Sequence, residues 1–222
     1  MFAHSFCGSE SRRADLHWMK QRRAAATVAL PFCTRTGAAL RPARPSASGS
    51  CGSAGRLRHG LMTLATSIRP AVAGDEEALG RLGALLVVEH HDFDPKRFLA
   101  PRPDMAKTYG RFLASQIGQP EKLVLVAERD GAVVGYVFGG IEGFDYMALR
   151  GPAGVLYDLV VDAGHRREGV GSALLEAAFA DLKTRGAPRV LLSTAYKNHE
   201  AQSLFERVGF RPTMIEMTRE LA

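Results

Sequence analysis

Leu159-Val160-Val161-Asp162-Ala163-Gly164-His165-Arg166-Arg167-Glu168-Gly169-Val170-Gly171-Ser172 is the stretch that decides the fold. An apolar, β-branched run enters a glycine-rich turn. The turn opens a segment with Leu174, Leu175, Ala178, Phe179 and Leu182 at helical spacing. Strand, turn and helix in that order make a phosphate cradle or a plain β-α connection. Glycines at 169 and 171 let backbone N–H groups close on an anion with no Cβ in the way. The helix that follows directs about half a positive charge at the same point. Arg166 and Arg167 add formal charge. On these residues alone both readings stay open. Spacing excludes two other glycine-loop chemistries. Position 174 is Leu, so the dinucleotide fingerprint is absent, and no Gly-Lys-Ser/Thr provides a Walker loop.

Outward from this stretch the elements alternate. Ser67 to Val72 reads as a short strand, with Pro70 marking an edge or an end. Asp75 can cap a helix carrying Leu79, Leu82, Leu85, Leu86 and Glu89, and Asp94-Pro95 breaks it. Asp104 opens a second helix through Met105, Tyr109, Phe112, Leu113 and Ile117, ended by Gly118 and Pro120. The runs 123–128 and 132–138 flank Asp130-Gly131 and make a hairpin. Val155–Val161 is a strand, Gly186 ends the next helix, and 189–194 is a further strand. Glu200 to Val208 is a helix, and Phe210 to Leu221 is a last strand. The order β-α-α-β-β-β-α-β-α-β implies an α/β (α+β) mixed sheet with helices on both faces.

Composition divides the 222 residues in two. Residues 1–61 hold nine Arg and Lys20 against Glu10 and Asp15, a net charge of +8; residues 62–222 carry a net −2. The basic excess therefore belongs to the first segment, and nucleic acid is not an expected partner of the remainder. Arg, Ser, Ala, Gly and Pro dominate residues 1–61, a composition that buries too little apolar surface to fold. Three readings compete for it: upstream sequence without a structural role, an organelle transit peptide, and a nucleic-acid arm. The first is preferred, because Met62 stands where the composition changes. Cys7, Cys33 and Cys51 all lie in that segment, so residues 62–222 have no disulfide, no Cys-ligated zinc and no thiolate nucleophile.

A second motif follows the strand at 189–194: Asn198-His199-Glu200-Ala201-Gln202-Ser203-Leu204-Phe205-Glu206-Arg207-Val208-Gly209-Phe210. With Arg166-x-x-Gly169-x-Gly171, it resembles the two signatures of the GCN5-related N-acetyltransferase (GNAT) superfamily. Ile68-Arg69-Pro70-Ala71 is similar as well, and the resemblance runs from about residue 66 to 220. It implies a GNAT-like fold over 62–222 and acetyl-CoA as co-substrate, with no metal. The pantetheine arm is expected against the backbone of Leu159, Val160 and Val161. The diphosphate is expected on Arg166, Arg167, Glu168, Gly169, Val170, Gly171 and Ser172. Asn198 and Phe205 complete the cofactor set. The implied reaction is direct attack of an amine on the thioester, and the absence of cysteine from 62–222 excludes a Cys-acyl intermediate.

Such a reaction needs a neutral amine, a donor for the oxyanion and an acid for the thiolate. Many members of the superfamily place a Tyr acid where this chain has Phe205. Tyr196 is the candidate substitute, beside its reading as a rim residue. Tyr157 stands where diamine acetyltransferases have a Glu. Asp158 supplies a carboxylate for a base, although strand alternation puts it on the opposite face from Tyr157. For the acceptor, the resemblance implies a wall from the loop Glu89-His90-His91-Asp92-Phe93-Asp94. An opposite wall holds Glu142, Phe144, Asp145 and Tyr146. His90, His91, Glu142 and Asp145 are thus the expected contacts of a small cationic or peptidyl primary amine. His90-His91 is not a metal pair, since adjacent helical residues diverge. The competing reading is a CoA-binding sensor without turnover. A cytoplasmic enzyme, with a homodimer as an option, is the expected setting, and no segment is apolar for long enough to span a membrane.

Overall fold

The computed structural model describes residues 66–221. The readings made above for residues 1–61, and the boundary at Met62, lie outside the described residues. Five strands form one sheet in the order β1-β2-β3-β4-β5, with β1 Ser67–Pro70, β2 Lys122–Arg129, β3 Ala132–Glu142, β4 Ala153–Val161 and β5 Val190–Leu192. The first four are antiparallel neighbours and β5 is parallel to β4. Pro70 closes an edge strand, where a missing N–H costs the ladder nothing. At the β2–β3 hairpin, Asp130 and Gly131 both take positive φ (53° and 76°), the primed-turn geometry that matches strand twist.

Two helices cover each face. α1 (Glu76–Phe93) and α2 (Met105–Gln116) bury Leu79, Leu82 and Leu113 on Val124, Val126, Tyr136 and Val160. α3 (Val170–Thr184) and α4 (His199–Arg207) cover the other face, where Leu174, Leu175 and Leu182 meet Leu125, Val137 and Leu156. Each fully buried Leu contributes about 1.5–3 kcal/mol. Asp75 does not cap α1 with its side chain. It turns back to accept the Val72 N–H at 2.8 Å and a two-pronged contact from Arg69 at 2.8 and 2.9 Å. Arg69 holds its carboxyl below the ordinary carboxylate value.

Three expectations need correction. The loop foreseen at 89–94 is the last turn of α1, which runs to Phe93. The foreseen strand 210–221 has no ladder partner among the described residues, and residues 210–221 carry neither helix nor strand. Finally, Tyr157 and Asp158 do not face opposite ways. In the β3–β4 register Phe138 pairs with Asp158, but Gly139 pairs with Leu156, so Tyr157 is an extra residue on β4. This bulge resets the alternation. Leu156 belongs to the α3 face, whereas Tyr157 packs on the α1/α2 core and the Asp158 side chain bonds Tyr109 and Tyr136 of that same core.

α1 and α2 cross with backbones in contact. A Cβ on Gly80 would stand 2.1 Å from the Ala106 carbonyl oxygen. One on Gly83 would stand 2.2 Å from the Tyr109 ring, so Gly83 vacates the space through which Tyr109 reaches the sheet. Alanine at Gly80 gains helix propensity of up to about 1 kcal/mol, but the clash is with rigid backbone and overpacking costs about 1–3 kcal/mol. Gly80→Ala is therefore expected to destabilise the fold by roughly 1–2 kcal/mol, read as a lower denaturation midpoint; an unchanged or higher midpoint contradicts this crossing.

Candidate active site

β4 and β5 pair only over Gly154↔Val190, Val155↔Leu191 and Leu156↔Leu192. From the bulge onward, Leu159, Val160 and Val161 keep β3 as neighbour through Val137, Tyr136 and Gly135, and have no β5 partner. Their outward backbone groups face a wedge between the two strands. A cleft of about 280 Å³ lies at this parting. Its lining includes Glu89 and His90 of α1, Tyr109 of α2, Tyr157, Asp158 and Leu159 of β4, and Asn198 and Phe205 at α4.

At the end of β4 the glycine turn has the conformation an anion cradle needs. Arg167 (φ 66°) and Gly169 (φ 86°) are both left-handed. For Gly169 this is free of steric cost; for Arg167 it is strain of the kind that persists at binding loops. The N–H groups of Arg167, Glu168 and Gly169 have no backbone acceptor among the described residues. Those of Val170, Gly171 and Ser172 form the first turn of α3, which leaves them without intrahelical partners. A diphosphate fits this donor set. Gly171 is also where α3 meets α4, since a Cβ there would touch Leu204 at 3.2 Å.

The loop's charged side chains are already paired. Arg166 turns inward: its Nε donates to the Val161 carbonyl at 3.1 Å and its Nη2 pairs with Glu89. Arg167 meets Glu200 at 3.3 Å with both side chains exposed, and Glu168 pairs with Arg129. Positive charge at the cradle therefore comes chiefly from backbone and helix dipole. Asn198 caps α4 by accepting the Ala201 N–H at 3.0 Å, and its amide nitrogen has no partner among the described residues. It lines the cleft and is placed to donate into it.

Asp158 is the buried charge of the site, 9% exposed. Tyr109 and Tyr136 both donate to its Oδ2, at 2.8 and 3.0 Å, and Oδ1 has no partner among the described residues. Burial pushes its pKa up; the two phenols and the charge of His90 pull the other way. Both phenols are themselves raised, first by burial and then by the carboxylate. They therefore stay protonated and keep donating. Tyr157 is raised by burial and by its bond to Glu142. Its OH donates to Glu142 at 2.5 Å and accepts from Lys122 at 3.1 Å.

The expected residues thus separate. His90 lines the cleft, its Nδ1 against the Leu86 carbonyl at 2.9 Å and its ring edge-on to Phe98. Facing a carbonyl, Nδ1 is the donor of that bond. His91 is not in the lining, and its Nδ1 is buried without a partner. Glu142 and Asp145 are also outside the lining and are both bound to Arg150. Asp145 further accepts the N–H groups of Met147 and Ala148 at 2.9 and 3.0 Å. Tyr196 is 88% exposed and outside the lining. Phe205 is in the lining and buried, edge-on to Phe210. The acidic groups at the cleft are Asp158 and Glu89. Glu89 was read in sequence both at helical spacing on the first helix and as the start of the acceptor loop; its place one turn before the end of α1 was the signal for a pocket-facing side chain. Among the described residues no cluster of His, Cys, Asp and Glu is arranged to hold a metal ion.

The chain is similar to known proteins over the stretch that holds this cleft. The profile of the acetyltransferase (GNAT) family matches residues 86–210. The chain is 38% identical over 89 residues to a mycothiol acetyltransferase of Thermobispora bispora, covering 38% of this chain and 28% of that protein. It is 31% identical over 109 residues to an N-alpha-acetyltransferase of Sulfurisphaera tokodaii, covering 47% and 65%. The chain thus spans less than two thirds of the length of these relatives. In fold it is similar to a predicted acetyltransferase of Clostridium acetobutylicum crystallised with acetyl-CoA. There the TM-score is 0.55 at 15% identity, with 71% of this chain and 97% of that one covered. Since the profile takes in more than half of the chain, from the end of α1 through the wedge, the cradle and α4, this chain belongs to the acetyltransferase (GNAT) family.

Proposed function

We propose that residues 62–222 transfer an acetyl group from acetyl-CoA to a primary amine by direct attack, with a small cationic amine or a peptidyl amine as acceptor. The observation that carries this reading is the buried Asp158 carboxylate at the floor of a cleft that opens where β4 parts from β5. Acetyl-CoA supplies the thioester, whose carbonyl carbon is the electrophile. The backbone of Leu159–Val161 and the amide of Asn198 would hold its arm, and the N–H groups of 167–172 its diphosphate.

The chain's own residues then deal with the amine. Asp158, which no guanidinium pairs, attracts an ammonium group, and the rings of His90, Tyr109 and Tyr157 line its path. The proton on nitrogen must leave before the lone pair can attack. Asp158 takes it at Oδ1, directly or through one water, while Tyr109 and Tyr136 hold the carboxylate in place through Oδ2. Glu142 positions the Tyr157 ring from behind. Phe205 has no proton to give, so the departing thiolate is protonated from solvent in this scheme. The same Phe205 favours a second reading, a CoA-binding module without turnover. Among the described residues no helix is long and apolar enough to cross a membrane, and a cytoplasmic setting is part of the proposal.

Release of free thiol from acetyl-CoA, followed across polyamines, aminoglycosides, amino acids and N-terminal peptides, tests the reaction. Turnover with at least one amine is expected; CoA binding with no turnover on any of them favours the module. Asp158→Asn is expected to keep CoA affinity and to lower kcat/KM for the amine on the order of 100-fold. The pH dependence of stability is a second readout. A carboxyl whose folded pKa lies above its ordinary 3.8 binds protons more tightly in the native state, so the wild-type chain loses stability as pH rises from 3.8 through the folded value. Asp158→Asn should lack that loss, so its melting temperature should rise relative to wild type across this window; a parallel pair of curves contradicts the burial of an ionisable Asp158.

A further inference from the structure

The half of the cleft that the wedge leaves for an amine is lined from α1, the connection after it, α2 and the bulge of β4. Its carbon surface comes from Leu86, Val87, Phe98, Leu99, Tyr109 and Tyr157. Leu86 and Tyr157 pack on the α1/α2 core and Val87 is buried. Phe98 stands edge-on to His90, with ring centres 4.9 Å apart. Leu99 lines the cleft although it is 73% exposed, which puts it at the mouth.

Negative charge in this half is scarce. The lining holds two carboxylates, Asp158 and Glu89, and Glu89 is paired with Arg166. Glu142 and Asp145 lie outside the lining and pair with Arg150. Asp158 bonds two phenols and meets no guanidinium or ammonium of the chain. Fixed cations flank the cleft instead. Besides Arg166, Lys197 stands next to the lining residue Asn198. Its Nζ donates to the Phe93 carbonyl at 2.8 Å, where α1 ends beside the start of α4. One ammonium entering the cleft therefore finds one free carboxylate. A second ammonium on the same molecule meets apolar carbon, with the charges of Arg166 and Lys197 set against it. Stripping its water without a partner is costly, whereas a methylene or a ring in the same place gains by burial. Discrimination by an uncompensated charge is stronger than discrimination by fit alone.

We propose that the acceptor is a primary amine with a single positive charge on an apolar skeleton, and that polyamines and aminoglycosides are rejected. The inference rests on the acetyl-transfer reading above and names its substrate class. Asp158 selects the one ammonium, and Phe98 and Leu99 select what is attached to it. The step itself is unchanged: the C–N bond forms as the C–S bond breaks, the amine proton goes to Asp158, and CoA leaves as a thiolate. An alkylamine, an arylalkylamine and a peptide terminus whose first side chain is apolar share this chemistry.

Hexylamine and cadaverine differ only at the far end, methyl against ammonium. The ratio of their kcat/KM values with acetyl-CoA and the full chain reads the selectivity. A ratio on the order of 100-fold in favour of hexylamine is expected. Peptides beginning with leucine or with lysine are the matching pair for a chain terminus. Whichever pair is turned over names the source, and its apolar member is expected to win. Equal rates within that pair, or preference for the dicationic member, overturns the proposal. Leu99→Glu places a second carboxylate at an exposed position, where the fold tolerates it. It is expected to move the ratio toward the dicationic member by about tenfold; an unmoved ratio also overturns the proposal. If CoA binds and no amine is acetylated, the transfer reading fails on its own. Calorimetric titration of the CoA complex with hexylamine and with cadaverine then decides the selectivity: tighter hexylamine supports it, and any other result overturns it.

Discussion

β4 carries one residue more than β3 can pair, and the site depends on it. The extra residue is Tyr157, placed between the Phe138↔Asp158 and Gly139↔Leu156 pairs. A bulged strand bends and twists more strongly than its neighbours. Pairing with β5 stops at Leu156, one residue before the bulge, and the wedge opens there. The same extra residue reverses the side-chain alternation, so that Tyr157 and Asp158 come to one face as consecutive residues. The unpaired backbone of the wedge and the buried carboxylate at its floor thus result from one local irregularity.

Around that irregularity the charges are arranged in layers. Asp158 is held by phenols rather than by cations, so no guanidinium or ammonium of the chain competes for it in the cleft. Glu142 and Asp145, which in sequence look equally able to attract an amine, share a salt bridge to Arg150. Arg166 joins the cradle to the acceptor side, from the Val161 carbonyl to Glu89. Site chemistry here follows from which carboxylates lack a guanidinium, and that is a property of packing.

This explains what could be read in advance. The element order, the two-sided helix cover and the glycine turn were legible because hydrophobic period, caps and turn residues are local. The left-handed turn and the helix start were legible for the same reason: Gly169 and the first residue of α3 are adjacent in sequence. The face of Asp158 was not, since a bulge is set by the register between two strands and leaves no mark on either one alone. Glu89, His91, Glu142 and Asp145 could not be sorted, because their partners, where they have one, are set by tertiary packing. The strand 210–221 was read from residue types alone, but a strand also needs an edge, and among the described residues none is paired to it.

The central claim is that the wedge of β4 and the turn before α3 form one continuous binding track. Amide hydrogen exchange with and without CoA addresses it most directly. Protection gained together at 159–161 and 167–172 is the predicted result. Protection gained at other segments while those two stay unchanged would contradict it.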